Sequence, residues 1–516
     1  MATGRKRRIG LMTAVVASAS VYVPAAFAQT APSNADLARL VRQQAAQIER
    51  LNARIDQLEQ DRHDGQAQAS SQTARTASSG DKSPRQSESG TPGGEAAEQA
   101  VAGRSADQRP GSSLSERIAR LEESDVKVDW SDGAPEFSSP NGAFTFGIGG
   151  RIQYDFSSTF NSRYDGQDRY ADSDSRNITG SEFRRVRLDA HGKLNNWVLY
   201  KLELDFADNQ VGLRDAYLAA EKDFALGNGV VYLGSKFADR SLDGRASSKW
   251  TWFTERNTVA NGIAPQPGAY LTGITGEFYG NNNWHASLGV NKGSNTGDNT
   301  ESNNFTVLSR AHWDPIATDR YILHVGANGF YENFEGDQAT APSVTIGGHY
   351  NDNLRVRSAA IDASTSTAYG LELAGLAGPF AAGAEYGHRR IKGRFNTDNT
   401  DYDAYSAQVG YALTGERFGY STKQGVWTRP EILHPVTEGG IGDWELVARY
   451  EAIDFENSNA FVGGTGHGTS IGLNWYLNKF TRMLFDYTDW RTNNRSGSYA
   501  LPDDGQSINA RAQVVF

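Results

Sequence analysis

The chain has 516 residues, a net charge of −10, 38% hydrophobic residues and no cysteine. The acidic balance argues against nucleic acid as a partner, and no mature segment holds the roughly 18 to 20 continuous apolar residues of a spanning helix. Without cysteine an exported chain cannot be stapled by disulfides, so its stability must come from an extensive core or a closed sheet.

Residues 1–28 read as a secretory signal. Arg5-Lys6-Arg7-Arg8 precedes an apolar run from Ile9 to Val23, and Ala26-Phe27-Ala28 supplies the small-x-small site, with cleavage expected after Ala28. Residues 29–61 then carry helical spacing. Val41, Ile48 and Ile55 fall at heptad position a, with Leu37, Gln44, Leu51 and Leu58 at d. β-Branched a with Leu at d also suits a dimer. Against that, Arg54-Ile55-Asp56-Gln57-Leu58-Glu59 has the Arg-apolar-x-x-apolar-Glu order of trimeric coils, and Arg117-Ile118-Ala119-Arg120-Leu121-Glu122 repeats it within 113–124. In both copies Arg (Arg54, Arg117) lies at g, the apolar pair (Ile55 and Leu58, Ile118 and Leu121) at a and d, and Glu (Glu59, Glu122) at e. Each Arg can then reach the Glu of a neighbouring helix while its stem covers the seam. The plainer alternative is a solvated amphipathic helix that stays single.

Between the coils, residues 62–112 are rich in Ser, Gly, Ala, Gln and Thr, with Val101 the only large aliphatic between His63 and Gly111. Such a stretch buries too little apolar area to offset chain entropy and reads as a disordered tether. A connector, 125–142, leads into a strand-rich region, 143–516.

From Phe144 to Phe156 every even position except Gly150 is apolar, and every odd one is polar or glycine. Arg185, Arg187, Asp189 and Lys193 alternate with Val186, Leu188, Ala190 and Leu194, and Lys201, Glu203 and Asp205 with Tyr200, Leu202, Leu204 and Phe206. Charges on successive inward positions suit a water-filled lumen facing lipid across one layer of sheet. The 22 Tyr, 23 Phe and 10 Trp suit aromatic girdles. Sixteen such runs begin near 144, 183, 197, 211, 229, 270, 283, 304, 320, 366, 379, 402, 443, 467, 480 and 506. Their connections alternate long and short, except that 414–442 is long where a tight turn should fall. The last run carries Val514, Ala512 and Ala510 on one face and Gln513, Arg511 and Asn509 on the other, and Phe516 ends the chain. The fold class is therefore all-β: a sixteen-stranded antiparallel transmembrane β-barrel, preceded by a coiled-coil helix and a disordered linker.

Several segments resemble the phosphate-selective porin O and P family: Arg184-Arg185-Val186-Arg187-Leu188, Tyr200 to Phe206, Gly378-Pro379-Phe380 with Glu385-Tyr386, Leu413-Thr414-Gly415-Glu416, Trp444-Glu445-Leu446 with Arg449-Tyr450, Gly472 to Tyr476, and Arg511-Ala512-Gln513. The resemblance implies a sixteen-stranded trimeric outer-membrane porin whose third outer loop folds into the channel while basic residues guide anions. Rings of Arg or Lys would replace the hydration an anion sheds on entering. The anion-guiding candidates in and before that loop are Lys236, Arg240, Arg245, Lys249 and Arg256, opposed by Asp239, Asp243 and Glu255. Gly234, Lys236, Phe237, Glu255 and Arg256 follow the family pattern. The proline after Phe237 is missing, and Gln266-Pro267 stands where a further Arg is expected, departures that bear on strict phosphate specificity.

Elsewhere the lumen face takes Arg151, Arg185, Arg187, Lys193, Lys201, Arg310, Arg389 and Arg449, with Arg482 and Arg511. Its acids include Asp155, Asp189, Glu203, Asp205, Glu385, Glu445 and Glu451. Either these charges pair across strands, or a basic track faces acids on the opposite side. A sugar channel is the alternative, with Trp250, Trp252 and Phe253 stacking on sugar rings rather than packing the loop. An envelope tether is another, since a coil preceding the first strand lies in the periplasm and could reach peptidoglycan. Catalysis is not expected. His191, His285, His312, His324, His388 and His467 stand singly, without G-x-S-x-G or paired metal spacing, and no cofactor or metal is implied. The expected partners are outer-membrane lipid, small anions such as phosphate, and two further copies of the chain.

Overall fold

The computed structural model describes residues 126–165, 175–266, 268–281, 283–292, 304–335, 339–358, 360–394, 399–456, 463–495, 497 and 499–516. The expected signal, both coil segments with Arg54, Ile55, Leu58, Glu59, Arg117, Ile118, Leu121 and Glu122, and the linker lie outside the described residues.

Sixteen long strands form one sheet. The first eight are β1 (Thr145–Phe160), β2 (Thr179–Leu194), β3 (Val198–Asp205), β4 (Gly212–Phe224), β5 (Gly227–Phe237), β6 (Tyr270–Gly280), β7 (Trp284–Asn291) and β8 (Phe305–Ala317). The second eight are β9 (Tyr321–Asn333), β10 (Ile361–Ala377), β11 (Phe380–Gly393), β12 (Thr400–Ala412), β13 (Asp443–Asp454), β14 (Thr465–Tyr476), β15 (Thr481–Asn494) and β16 (Leu501–Val515). Each begins within five residues of its expected start. All pair antiparallel in chain order, and β16 pairs back onto β1 from Gln506↔Phe160 to Val515↔Arg151, which closes the barrel.

Alternation explains why these segments form strands of this kind. On β1, Arg151, Gln153 and Asp155 are buried inside while Ile152, Tyr154 and Phe156 lie exposed on the outer face. β16 repeats this, with Asn509, Arg511 and Gln513 inward and Ile508 and Val514 outward. An outer face of this composition suits hydrocarbon, and closure leaves no strand edge for lipid to meet. Near the short-turn end, Trp197, Phe224, Trp313, Tyr321 and Phe380 point outward as part of an aromatic belt. The turns there are tight: Asn195 and Asn196 both take positive φ (52° and 66°), the twist that a two-residue hairpin requires.

The connector carries a hairpin of its own. Lys127–Asp129 pairs Glu136–Ser138, which adds to β1 through Glu136↔Gly147 and Ser138↔Thr145. It occupies the edge of β1 beyond the point where β16 ends.

Among the described residues, three connections turn into the barrel. Residues 238–269 between β5 and β6 run across the interior. Residues 334–360 between β9 and β10 form a short ladder, Ser343–Thr345 on Arg355–Arg357. Its Val344, Ile346, Leu354 and Val356 pack with Val259 and Ile263 of the first insert and with Ile391, Ile453 and Trp490 of the wall. The third is the long connection at the short-turn end, 413–442. Its length does not reflect a slipped strand count. It holds a small hairpin, Tyr420–Ser421 on Val426–Trp427, whose second strand is buried and whose first is half-buried. Arg310 on β8 donates to the Gly425 and Gln424 carbonyls (2.7 and 3.1 Å), and Trp427 and Phe418 pack tilted against Trp252 at centroid distances of 4.5 and 4.7 Å.

Trp427 has no exposed surface, so Trp427→Ala should cost about 3–5 kcal/mol of local packing while leaving the strand ladder intact. The barrel should keep its heat-modifiable gel migration, but limited proteolysis should now cut within 413–442, where the unsubstituted protein resists. Equal resistance in both would show that the insert does not depend on this contact.

Candidate functional site

The insert between β5 and β6 is built from two short helices joined by an extended crossing. Ser241 Oγ accepts from Gly244 N and starts α1 (Leu242–Arg245); Asn257 Oδ1 accepts from Ala260 N and starts α2 (Thr258–Gly262). Backbone polar groups carried into a barrel need partners, and the far wall provides them. Asp486 accepts from Thr254 N and Oγ1 (2.8 and 2.7 Å), Glu451 from Thr258 N (2.8 Å), and Glu385 from the Asn257 side chain (2.5 Å). Arg482 donates to the Thr251 carbonyl (2.8 Å), Arg389 to that of Ala264 (2.7 Å) and Arg449 to that of Glu255 (3.0 Å). Trp252 and Phe253 are buried with Leu242, Ala246 and Val447, so they pack the insert rather than line a path.

The insert reaches the wall of β1 to β4 through Ser248, which accepts from Arg151 (2.9 Å), and Glu255, which accepts from Arg184 (2.8 Å); elsewhere that wall faces an open space. A cavity of about 620 Å³ lies between it and the insert, lined by nine Arg or Lys side chains against Glu203, Asp215 and Glu255. A second cavity, about 740 Å³, opens toward the end that holds Phe516. Arg151, Lys201, Ser247, Trp250 and Thr428 line both, so the two spaces abut there. In the second cavity Arg151, Lys201, Lys249 and Arg429 face Asp129, Asp132, Glu136 and Asp189, which balances the charge.

The expected lumen residues divide by partner. Arg151 pairs Glu203 (3.0 Å), Arg187 pairs Glu203 and Asp205 (2.9 Å each), and Lys201 pairs Asp215 (2.9 Å), all on the cavity wall. Arg185 also reaches the cavity but bonds only the Gln153 amide oxygen (3.0 Å). Arg310 pairs Glu372 (2.7 Å), Arg389 pairs Glu332 (2.7 Å) and Arg449 pairs Glu451 (2.9 Å); these three hold the inserts. Lys193 pairs Glu221 (2.8 Å) away from the cavity. A basic track with acids opposite is thus not the arrangement found. Acids sit among the cations on the same wall, because neighbouring strands put Glu203 between Arg151, Arg187 and Lys201.

The five loop candidates separate in the same way. Lys236 forms an ion pair with Glu277 and does not line the basic cavity, and Arg245 lies 3.5 Å from Asp239. Arg240 is buried against the cavity with Nε and Nη1 lacking any hydrogen-bond partner, and Arg256 donates only to the Asp243 and Ala246 carbonyls. Among the described residues no carboxylate pairs with Arg185, Arg240, Lys249 or Arg256. Burial and the nearby Arg256 press down on the affinity of Arg240 for its proton. Burial would raise Glu255, but Arg184, Arg185 and Arg511 hold it well below the usual carboxylate range.

Strict alternation places Arg184 on the outer face, yet it forms a bidentate pair with Glu255 inside. The cause is a bulge. The register shifts between Gln153 and Tyr154, so Arg185 opposes Gln153, Phe183 opposes Tyr154, and the extra residue turns inward. Three Arg within Arg184-Arg185-Val186-Arg187 is the local sign, since no period of two can seat all of them on one face. Arg214, at the start of β4 and 3.2 Å from Asp205, is a further cavity residue the strand pattern did not single out.

A family model described as phosphate-selective porin O and P matches residues 146–516. Porin O of Pseudomonas aeruginosa is 27% identical over 431 residues, covering 74% of this chain and 91% of that protein. Among solved structures, in-vitro folded OmpT, an outer membrane protein of Vibrio cholerae, aligns with TM-score 0.47 and 13% identity over 72% of this chain and 98% of its own. An anion-selective porin from Comamonas acidovorans aligns with TM-score 0.41 and 10% identity over 72% of this chain and all of its own (100%).

Burial and the Arg151 charge bring Lys249 down to about 8, with Asp189 opposing the shift. Its charge should therefore be lost as pH rises from about 7 to about 9. Single-channel chloride conductance should fall across that window, and the Lys249→Gln channel should start lower and stay flat. A fall of the same size in Lys249→Gln would assign the titration to another group.

Proposed function

The chain belongs to the phosphate-selective porin O and P family and is a bacterial outer-membrane porin, and from that premise we propose that it passes small anions, phosphate among them, passively through the basic cavity beside β1 to β4. The observation that carries this reading is the excess of cationic over acidic side chains on the cavity, with Arg185, Arg240 and Arg256 unpaired. An anion entering a narrow space sheds water and needs replacement donors, which these guanidiniums supply in a fixed, planar form. Glu203, Asp215 and Glu255 temper the field. A conducting site must bind well enough to admit an ion and weakly enough to release it. Inward folding of 238–269 forms the constriction in this scheme, and the balanced second cavity is the exit.

The sugar reading loses support because Trp252 and Phe253 are occupied in packing, leaving Trp250 as the one member of that trio beside the path. No covalent step or cofactor is needed for passive diffusion. We further propose a homotrimer held in part by the coil pattern at Arg54–Glu59 and Arg117–Glu122, with the stalk in the periplasm within reach of peptidoglycan.

Phosphate should block chloride conductance in single channels. Arg240→Gln and Arg185→Gln should each raise the half-blocking concentration about 10- to 100-fold, the worth of one charge-assisted bond of roughly 1.5–3 kcal/mol. Lys193→Gln, distant from the cavity, should change little. Absence of block, or identical block in all four proteins, would contradict the proposal.

A further inference from the structure

In sequence His285, His312 and His324 stand apart; the fold brings them together. β8 puts His312 and Asp314 two residues apart on its inward face, and the register shift between Trp313 and Ile316 brings His324 of β9 against them. His312 Nε2 lies 3.6 Å from Asp314 Oδ2, His324 Nδ1 lies 3.5 Å from Asp314 Oδ1, and all three side chains are fully buried. One ligand atom from each falls within 4.8 Å of the others. Tetrahedral bonds of about 2.0–2.1 Å place ligand atoms about 3.3 Å apart, close to each His–Asp separation, and the cluster as a whole must draw in from its 4.8 Å span to seat an ion.

Two further observations point to an ion. Asp314 Oδ2 is buried without a hydrogen-bond partner, which is costly for a carboxylate and ordinary for a metal ligand. Second, each ring is backed on its other nitrogen. His312 Nδ1 meets His285 Nδ1 (2.5 Å), and His285 Nε2 lies 2.8 Å from Asp239 Oδ2. His324 Nε2 lies 3.2 Å from Glu372 Oε2. With an ion on His312 Nε2 and His324 Nδ1, the remaining ring protons run to His285, and through it to Asp239, and to Glu372. Such carboxylate backing fixes the tautomer and ring direction of a ligating histidine.

The fourth position falls to the inserted segment. Tyr420 Oη is 2.7 Å from His324 Nδ1 and 2.8 Å from Asp314 Oδ1, and the Thr422 carbonyl is 2.9 Å from His312 Nε2. Two imidazoles with one carboxylate suit zinc, copper or nickel; calcium and magnesium prefer all-oxygen sites. We propose that His312, Asp314 and His324 hold a divalent transition metal, completed by Tyr420, and that the ion clasps segment 413–442 to the barrel wall.

The full-length porin in detergent, stripped with chelator, should take up one zinc per chain when titrated with zinc sulfate and followed by calorimetry and metal analysis after dialysis. Asp314→Asn and His312→Ala should lose that uptake, and His285→Gln, which keeps every ligand, should bind about 10- to 100-fold more weakly. His467→Ala, on β14, serves as the unaffected control. Heat-modifiable migration checks that each variant forms a barrel, and the near-isosteric Asp314→Asn keeps the test open if His312→Ala does not fold. In the Trp427→Ala background zinc should restore protease resistance to 413–442, and in Trp427→Ala with Asp314→Asn it should not. No stoichiometric uptake by the unsubstituted protein, or equal uptake by Asp314→Asn, would overturn the site; uptake without restored resistance would overturn the clasp.

Discussion

A single layer of sheet separates lipid from the lumen, so each strand must be apolar on one side and polar on the other. That constraint inverts the usual distribution, leaving large apolar side chains exposed and Arg310, Arg389, Arg482 and Arg511 almost wholly buried. A buried charge must find a partner. On β11 to β15 the partners are the inserts: Glu385, Glu451 and Asp486 accept their N–H groups, and Arg389, Arg449 and Arg482 take their carbonyls. On β1 to β4 the first insert touches the wall through Ser247, Ser248 and Glu255, and the other cations there are left for one another's acids and for a solute. The division of the barrel into an anchoring side and a conducting side follows from where the inserts lie.

The inserts enter from opposite ends and meet at Trp252, Trp427 and Phe418. Each therefore supports the other, and a change in the short-turn insert reaches the residues that shape the anion path. Thr428 and Trp250, one from each insert, line both cavities. The histidine cluster lies where the short-turn insert touches β8 and β9, which gives that contact a chemistry of its own.

Strand existence and number were legible because alternation is a local property: Phe144 to Phe156 shows its two faces without reference to anything else. Facing direction was legible wherever the ladder is regular, as for Arg151, Arg185 and Arg187. It failed at Arg184, where a bulge against β1 changes the side and only the pairing of two strands defines it. Partners were not legible, because they depend on relative strand heights. Lys236 looks like an anion guide until Glu277, 41 positions away, is seen to neutralise it. The same holds for His312 and His324, whose meeting depends on a register shift. The destination of a long connection was also hidden. Residues 414–442 have no strand pattern strong enough to announce a hairpin, and only Phe418, Val426 and Trp427, apolar in a stretch that should face water, hint that it turns inward.

Arg185 on β2, with Arg240 and Arg256 of the first insert, has no carboxylate partner among the described residues, and these cations are what make the cavity favour anions. The direct measurement is the zero-current potential of a single channel under a potassium chloride gradient at neutral pH. A potential close to the chloride equilibrium value is the result expected from the cationic lining of the first cavity. A potential near zero, or one toward potassium, would mean that Glu203, Asp215 and Glu255 govern the path, and it would contradict the account.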